Sequence, residues 1–423
     1  MTQVIGKYTT AEIFTDNIES TCLSQIIQMV NHEAFTNPVA IMPDTHAGKG
    51  SVIGFTMKAG DKIIPNVIGV DIGCGMSAIC LELPRSLTFE EHSMLDERIR
   101  QYIPFGSNVH QLPCCIDSQL EKRVPGFEKL CKRVGIDVDY ARRSLGSLGG
   151  GNHFIELCFG QEINDLWVIV HSGSRHLGQK VCQFWQNTAK KKSGNGYDAI
   201  VEKGIANIKA TLPKKEWNSA MLRLKANAKK KTNVSSNGLE FLTGQLREDY
   251  LTDMRLAQRY ASYNRELMLS WIQIAITEIL FEEKANYETL LGRVKFIETV
   301  HNYVDDQDMI RKGAISAHKN ELVIIPLNMR DGTLICEGKG NPQWNESAPH
   351  GAGRLFSRSQ AKKELSLETF KSQMEGIFST SICSGTLDEA PGAYKDASEI
   401  ISLIGDTVEV MAHLKPIHNL KAI

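Results

Sequence analysis

The chain has 423 residues, enough for a large buried core, and its formal net charge at neutral pH is −1. This balance excludes a globally basic, histone-like nucleic-acid binder but remains compatible with a local basic groove. The ten cysteines do not follow the spacing of small disulfide-stabilised domains, so reduced thiols are expected. Met1–Phe14 has no signal-peptide pattern, and no apolar run reaches the roughly 18 residues of a membrane span. We therefore predict a cytoplasmic protein with no membrane segment.

The hydrophobic pattern predicts helices and strands mixed along one large domain of residues 1–423, because no convincing linker divides the chain. Leu166–Val170 predicts a buried strand that ends at His171, and Glu321–Pro326 predicts another strand. Residues 246–283 carry apolar side chains at three- and four-residue steps, which predicts a long helix.

Three further segments have a distinctive composition. Met42–Gly50 is predicted to be a loop, and Gly351–Lys363 is predicted to begin a helix. Residues 190–237 are polar and lysine-rich, which predicts a partly helical, mobile surface insertion. Its lysine runs could follow an RNA backbone, although such runs more often form a solvated face.

A carboxylate and a thiol lie three residues apart in Asp71-Ile72-Gly73-Cys74-Gly75. The glycines allow a tight turn, so both side chains can point into the same space. A carboxylate and a thiolate repel each other unless a cation lies between them. The segment therefore predicts a metal site.

Several histidines lie in glycine-rich or polar segments near the predicted ends of strands or helices. The candidate metal ligands are Asp71, Cys74, His153, His171 and His301. Their spacing matches no local metal motif, but one thiolate, three imidazoles and a carboxylate suit zinc, iron or manganese. Five donors of mixed hardness fit two metals that share the thiolate better than they fit one.

His350 has a different setting, because it directly precedes Gly351-Ala352-Gly353. In the predicted helix, Arg354 and Arg358 are four residues apart and share one face. Free N–H groups, glycines and two guanidinium groups together predict a phosphate site. A neutral His350 could there be a nucleophile that forms a phosphoramidate, or it could only hydrogen-bond the phosphate.

Taken together, these segments resemble the RtcB family of RNA-splicing ligases from about Ile41 to the C terminus. The resemblance is carried by Met42-Pro43-Asp44-x-His46-x-Gly48-Lys49-Gly50, Asp71-x-x-Cys74-Gly75, Gly151-Asn152-His153-Phe154-x-Glu156, His171-Ser172-Gly173-Ser174-Arg175, Asn264-Arg265, His301-Asn302-Tyr303, Arg311-Lys312-Gly313-Ala314 and His350-Gly351-Ala352-Gly353-Arg354. The resemblance implies an α+β fold in a single large domain, with mixed sheets flanked by helices.

The resemblance also implies an activity. Such enzymes use GTP and two Mn²⁺ ions to join an RNA 3′-phosphate or 2′,3′-cyclic phosphate end to a 5′-hydroxyl end. His350 would become guanylylated and pass the guanylate to the RNA, and the 5′-hydroxyl would then attack this RNA-ppG end. Asp44 would fix the tautomer of His350. Cys74 would bridge the metals, with Asp71 and His153 on one ion and His171 and His301 on the other.

The remaining implied contacts concern the nucleotide and the RNA. The nucleotide-binding residues would be Asn152, Phe154, Glu156, Asn302, Pro326, Asn328, Met329, Gly351, Ala352, Gly353, Tyr394 and Lys421. The RNA phosphates would meet Arg175, Arg354 and Arg358. RNA with broken ends, such as tRNA, is the implied partner, together with an Archease-type activator.

The chain departs from the family pattern at the nucleotide site. Pro326-Leu327-Asn328-Met329-Arg330-Asp331 stands where the family usually has Pro-Gly-Ser/Thr-Met-Gly-Thr, and Pro349 replaces the usual Cys. These differences fit a divergent paralogue. They leave two alternatives open, a metal-dependent cyclic phosphodiesterase or other RNA end-processing enzyme, and a non-catalytic RNA-end binder.

Overall fold

The helices and strands follow from a computed structural model that describes residues 2–160, 165–193, 197–232, 238–280 and 295–423. The strands are β1 (Thr2–Ile5), β2 (Thr10–Ile13), β3 (Val39–His46), β4 (Ile53–Lys58), β5 (Gly75–Glu82), β6 (Phe154–Phe159), β7 (Asp165–Ser172), β8 (Lys295–Val300), β9 (Asn302–Val304), β10 (Met309–Lys312), β11 (Ala314–Ser316), β12 (Leu322–Asn328), β13 (Gly332–Gly338), β14 (Ser347–Pro349) and β15 (Val408–Leu420). The α-helices are α1 (Ser20–Val30), α2 (Pro65–Ile68), α3 (Phe89–Tyr102), α4 (Asp117–Arg123), α5 (Phe127–Val134), α6 (Val138–Ser144), α7 (Arg175–Lys192), α8 (Tyr197–Thr211), α9 (Trp217–Thr232), α10 (Gly244–Leu280), α11 (Arg358–Glu364), α12 (Leu367–Gln373) and α13 (Ala397–Leu403). Short 3₁₀ helices cover Lys214–Glu216, Pro342–Trp344, Ser384–Glu389 and Pro391–Ala393.

The described strands form two large sheets and a small one. The six-stranded sheet has the order β1-β2-β3-β4-β10-β9 and is mixed, because β2 and β3 are parallel. The seven-stranded sheet has the order β12-β13-β15-β6-β7-β5-β8, and its neighbouring strands pair antiparallel. β11 and β14 form the small sheet.

The predicted strand at Leu166–Val170 is confirmed as the middle of β7. Alternate side chains of a strand point to opposite faces. Leu166, Val168 and Val170 accordingly join one apolar cluster with α3 and α10, whereas Trp167 and Ile169 join another on the opposite face. Both faces of the strand are therefore buried, which explains why its sequence is continuously apolar.

The predicted long helix is confirmed as α10, and residues 281–283 of the prediction lie outside the described residues. The predicted strand at Glu321–Pro326 is confirmed as β12. Two other predictions were wrong in part. Met42–Gly50 is not wholly a loop, because β3 extends to His46.

The helix predicted to begin at Gly351 begins only at Arg358, after the N-cap Ser357. The chain cannot start a helix at Gly351 and still lie against Asp44, because Gly353 has a φ of +75° and a Cβ there would lie 2.4 Å from the Asp44 carbonyl oxygen. Arg354 and Arg358 therefore do not share a helix face.

The lysine-rich segment contains α8 and α9. These two helices approach each other closely at Gly204, where a Cβ would lie 2.4 Å from the Leu224 side chain. Residues 194–196 and 233–237 lie outside the described residues. Among the described helices, none combines the length and apolar character that crossing a membrane requires.

Candidate active site

The strand register brings four of the five predicted metal donors to one edge of the seven-stranded sheet. Cys74 directly precedes β5, His153 directly precedes β6, His171 lies near the end of β7 and His301 directly follows β8. These strands are neighbours in the order β6-β7-β5-β8, and each runs antiparallel to the next. The start of one strand therefore lies beside the end of its neighbour.

The donor atoms form two pairs on either side of the thiol. Cys74 Sγ lies 3.4 Å from His153 Nε2 and 3.3 Å from His171 Nε2. His153 Nε2 is 3.0 Å from Asp71 Oδ2, and His171 Nε2 is 3.4 Å from His301 Nε2. All five predicted donors are thus brought together, and Cys74, His153 and His171 alone satisfy the spacing of a metal-binding group among the described residues.

The imidazoles are arranged as metal ligands usually are. His153 Nδ1 lies 3.0 Å from the Leu148 carbonyl oxygen, and His171 Nδ1 lies 3.1 Å from that of Asn152. A carbonyl only accepts, so Nδ1 carries the proton and Nε2 is free to bind a metal. Burial holds the pKa of His171 and His301 well below the usual histidine range, which keeps both rings neutral.

Asp71 and Cys74 give the clearest sign that the site fits a cation. Burial raises the Asp71 pKa, but the contacts with His153 and Cys74 and the charge of Arg175 together outweigh it, and the net shift is downward. Burial and the neighbouring Asp71 raise the Cys74 pKa well above 9.0. A metal ion supplies the charge that a thiolate needs at such a position.

Helix α10 holds the two metal-binding segments in place. Arg265 is fully buried and donates hydrogen bonds to the carbonyl oxygens of Gly73 and Ser172, each at 2.8 Å. Its guanidinium also lies 2.9 Å from Glu298 Oε1. The preceding Asn264 is a satisfied buried amide, since it bonds to the backbone of Ser147 and to the Gly173 carbonyl.

Two glycines allow the segments to approach each other. Gly73 has a φ of +74°, and a Cβ there would lie 2.7 Å from the Cα of Gln258 on α10. A Cβ on Gly173 would lie 2.2 Å from Asp71 Oδ1. Any larger side chain at either position would displace the turn.

His350 lies beside the metal donors, with its ring centroid 4.8 Å from that of His301. Its Nδ1 is 2.6 Å from Oδ2 of Asp44, a carboxylate with no exposed surface. Nδ1–H donates to this carboxylate, so Nε2 carries the lone pair. An imidazole held in this tautomer is equipped to act as a nucleophile.

One cavity of about 320 Å³ joins the metal donors to His350, which is enough for a small-molecule ligand. Most predicted site residues line it, namely Asp71, Cys74, Asn152, Phe154, Glu156, His171, His301, Asn302, Pro326, Asn328, Met329, His350, Gly351, Ala352, Gly353, Arg354, Arg358, Tyr394 and Lys421. Asp44 and His153 are outside this lining, but each contacts a residue that belongs to it, Asp44 through His350 and His153 through Asp71 and Cys74.

Arg175 is a third predicted site residue that does not line the cavity. Its guanidinium donates to Ser147 Oγ at 3.0 Å and to the Gly106 carbonyl oxygen at 2.7 Å. These contacts support the backbone of the neighbouring loops. The assignment of Arg175 to RNA phosphate stays a prediction.

The cavity lining also contains two buried carboxylates, Glu156 and Glu389. Glu156 accepts from Thr333 Oγ1 at 2.9 Å and from Asn419 Nδ2 at 3.0 Å, and burial raises its pKa to about 7. Glu389, which the sequence analysis missed, accepts from Lys421 Nζ at 2.9 Å and from Tyr394 Oη at 2.7 Å.

Glu389 also contacts Arg354, whose NH1 lies 3.1 Å from Oε1. Burial raises the Glu389 pKa, but Lys421, the hydrogen bond from Tyr394 and the two neighbouring arginines together outweigh it, and the net shift is downward. This carboxylate therefore links Lys421 and Tyr394, predicted to bind the nucleotide, with Arg354, predicted to bind RNA. No local sequence pattern marked it, because its role comes from distant partners. His46, Asn419 and Gly313 also line the cavity and were not assigned there.

The segment that departs from the family pattern forms a self-contained turn. Asn328 Oδ1 accepts from the backbone N–H groups of Arg330 and Asp331, at 3.0 and 2.9 Å. Met329 packs into an apolar cluster with Phe370 and Met374. The turn is thus closed by its own side chains.

A metal-donor cluster and an oriented histidine in one cavity are the features of a metal-dependent enzyme of α+β fold. The chain belongs to the RtcB family, since the family model described as tRNA-splicing ligase RtcB matches residues 25–422. The family resemblance and the fold class predicted from the motifs are therefore confirmed.

Named relatives match the chain over nearly its full length. It is 29% identical to the RNA-splicing ligase RtcB of Escherichia coli K12 over 418 residues, which cover 95% of this chain and 94% of that protein. It is 26% identical to the RNA-splicing ligase RtcB2 of another Escherichia coli strain, covering 96% and 93%. It is 24% identical to the tRNA-splicing ligase RtcB of Nanoarchaeum equitans, covering 96% and 91%.

Proposed function

We propose that this chain is an RNA ligase that uses GTP to join RNA 3′-phosphate or 2′,3′-cyclic phosphate ends to 5′-hydroxyl ends. The observation that carries the proposal is the contact between His350 Nδ1 and Asp44 Oδ2, 2.6 Å long, in a cavity that also contains the metal donors. Membership of the RtcB family and the names of its relatives support the same activity.

His350 is the proposed nucleophile toward the α-phosphate of GTP. As the N–P bond forms and pyrophosphate leaves, the ring becomes cationic, and the Asp44 carboxylate stabilises the Nδ1–H. The guanylate then passes to the RNA 3′-phosphate. The 5′-hydroxyl attacks the resulting RNA-ppG end, and GMP leaves.

Asp71, Cys74 and His153 would hold one Mn²⁺ ion, and Cys74, His171 and His301 would hold a second. When bound, they would neutralise phosphate charge and lower the pKa of a coordinated nucleophile. The chain itself contributes preorganised donors, because the carbonyl groups of Leu148 and Asn152 orient His153 and His171.

The nucleotide is proposed to lie between the metal donors and the two buried carboxylates. Lys421 Nζ lies 5.2 Å from the centroid of the Phe154 ring, so an aromatic face and a cation are available to a base. Glu156 would accept from the guanine edge. Arg354 and Arg358 would meet RNA phosphate at the mouth of the cavity. The proposed substrate is broken RNA, tRNA among it, in the cytoplasm, with an Archease-type activator as a partner.

The first test is covalent labelling with α-³²P-labelled GTP and Mn²⁺. We expect label on the wild-type protein, none on His350→Ala, and wild-type labelling on His176→Ala, since His176 is an exposed histidine of α7 that contacts Gln179. Asp44→Asn should slow labelling by roughly 10²- to 10⁴-fold. The amide N–H would donate to Nδ1, so the ring proton would lie on Nε2 and block the nucleophilic nitrogen.

An unlabelled wild-type protein across Mn²⁺, Zn²⁺, Co²⁺ and Mg²⁺ would refute the ligase proposal. Opening of cyclic ends that survives in His350→Ala without GTP would instead favour a phosphodiesterase. RNA-end binding without any product, unchanged in Cys74→Ala, would favour a non-catalytic binder.

A further inference from the structure

His46 is an imidazole in the cavity wall that has no role in the reaction proposed above. It lies at the end of β3, two residues after Asp44, and lines the same cavity as His301 and His350. Its side chain is only partly buried, and it contributes to the cavity wall. We therefore consider a functional role for His46 as well as a structural one.

The tautomer of His46 is set by its backbone. His46 Nδ1 lies 3.0 Å from the carbonyl oxygen of Asp44, which can only accept, so Nδ1 carries the proton. Among the described residues, this is the hydrogen bond that His46 makes. Its Nε2 consequently keeps a free lone pair.

Asp44 thus orients two imidazoles at once. Its carboxylate holds His350, and its backbone carbonyl holds His46, in both cases through Nδ1. Both rings line one cavity with Nε2 unprotonated. The first ring is the proposed nucleophile, and the second remains available to accept a proton.

The surroundings of His46 keep it neutral. Burial lowers its pKa, while the Asp44 carbonyl and carboxylate act in the opposite direction. The other charged or titratable groups that face it are His350 and Lys395, and Lys395 Nζ donates to the Pro43 carbonyl oxygen at 2.9 Å. A neutral ring with a bare nitrogen offers phosphate no donor, but it can take a proton from a hydroxyl.

We propose that His46 is the general base that deprotonates the RNA 5′-hydroxyl in the sealing step, an inference that rests on the ligase function proposed above. The bond from O5′ to the RNA 3′-phosphorus forms, and the bond from that phosphorus to the bridging oxygen of GMP breaks. The hydroxyl proton moves to Nε2 of His46, and GMP leaves with the electron pair.

The variant that isolates this nitrogen is His46→Asn. The amide nitrogen of Asn can occupy the position of Nδ1 and still donate to the Asp44 carbonyl, whereas nothing replaces Nε2. We expect guanylylation of His350 at the wild-type rate, accumulation of RNA-ppG, and a loss of roughly 10²- to 10⁴-fold in the sealing of preformed RNA-ppG. His176→Asn serves as the matched control and should seal normally.

A second measurement distinguishes a lost base from a disturbed site. RNA with a 5′-thiol has a nucleophile that ionises near pH 8.5, so it needs no base, and the wild-type and His46→Asn rates should converge to a ratio of about one. Urea unfolding of the same preparation reports folding independently of either reaction. If His46→Asn fails that check, His46→Gln is used.

The outcomes separate the two proposals. A wild-type protein that acquires no label refutes the ligase function. A labelled wild type, with His46→Asn sealing preformed RNA-ppG at the wild-type rate, refutes the role of His46 alone. An equal loss of guanylylation and sealing in a folded variant also refutes it, because His46 would then serve His350. If His46→Asn seals the 5′-thiol RNA as poorly, relative to wild type, as it seals the hydroxyl substrate, the role of His46 is also refuted.

Discussion

At the scale of single residues, hydrogen bonds to Nδ1 decide the chemistry of the imidazoles. His153 and His171 turn Nδ1 to backbone carbonyls, and His350 turns it to a carboxylate. His46 follows the same rule. Each ring therefore keeps an unprotonated Nε2, which suits the roles proposed for it as a metal ligand, a nucleophile or a base.

Glu156 predicts a pH dependence of stability. Burial raises its pKa from 4.5 to about 7 in the folded protein. Between these values the folded state keeps a proton that the unfolded chain releases, so the free energy of unfolding falls as pH rises through this window. The loss amounts to about 3 kcal/mol, at 1.36 kcal/mol per pKa unit.

The measurement is urea unfolding of wild type and Glu156→Gln between pH 5 and 8. The amide resembles the protonated acid, so the variant should lose this part of the pH dependence. Glu82→Gln, at an exposed position on β5, should keep it. If the free energy of unfolding depends on pH in the same way for wild type and Glu156→Gln, Glu156 does not titrate in this range.

At the scale of elements, α10 is the support of the metal centre. Arg265 connects the turn before β5 with the end of β7 through the carbonyl oxygens of Gly73 and Ser172. These segments carry Cys74 and His171, so the distance between two donors depends on one guanidinium.

Arg265→Met should lower the free energy of unfolding by about 3 kcal/mol, since buried carbonyl groups and Glu298 lose their partner. It should also weaken Mn²⁺ binding about 10- to 100-fold, as loss of support behind metal ligands does. Urea unfolding and isothermal titration calorimetry measure the two effects.

Arg98→Met is the matched control. Arg98 of α3 pairs with Glu278 of α10, but its side chain is 44% exposed. Little change is therefore expected in the free energy of unfolding or in Mn²⁺ binding. Equal effects of the two substitutions would contradict the role assigned to Arg265.

At the scale of the whole molecule, the cluster of predicted metal donors is a product of sheet closure. Its donors come from positions as far apart as Asp71 and His301, and only the order β6-β7-β5-β8 makes them neighbours. A metal that binds these donors binds the folded state alone and should stabilise it.

Mn²⁺ should therefore raise the melting temperature of the protein, with a stabilisation of about 2.7 kcal/mol when its free concentration is 100 times Kd. Differential scanning calorimetry with and without the ion measures this shift. Cys74→Ala should abolish the shift, whereas Cys80→Ala, further along β5, should retain it. A shift that persists in Cys74→Ala would place the ion elsewhere.

The sequence by itself determined the family and the fold class and predicted five metal donors, because these inferences depend on residue types within short motifs. It also determined β7 and α10, whose long apolar patterns reflect burial. Local sequence patterns gave wrong predictions where a contact with a distant segment decides the backbone conformation. The segment after His350 bends against Asp44, and β3 continues to His46 because it pairs with β4.

Only the tertiary structure decided how these residues act on one another. Glu389 became part of the site through Lys421, Tyr394 and Arg354, which no sequence spacing connects to it. Asp44 became the common support of two imidazoles through one carboxylate and one carbonyl. Hydrogen bonds and burial depend on distances between remote segments, and those distances exist only once the sheets have closed.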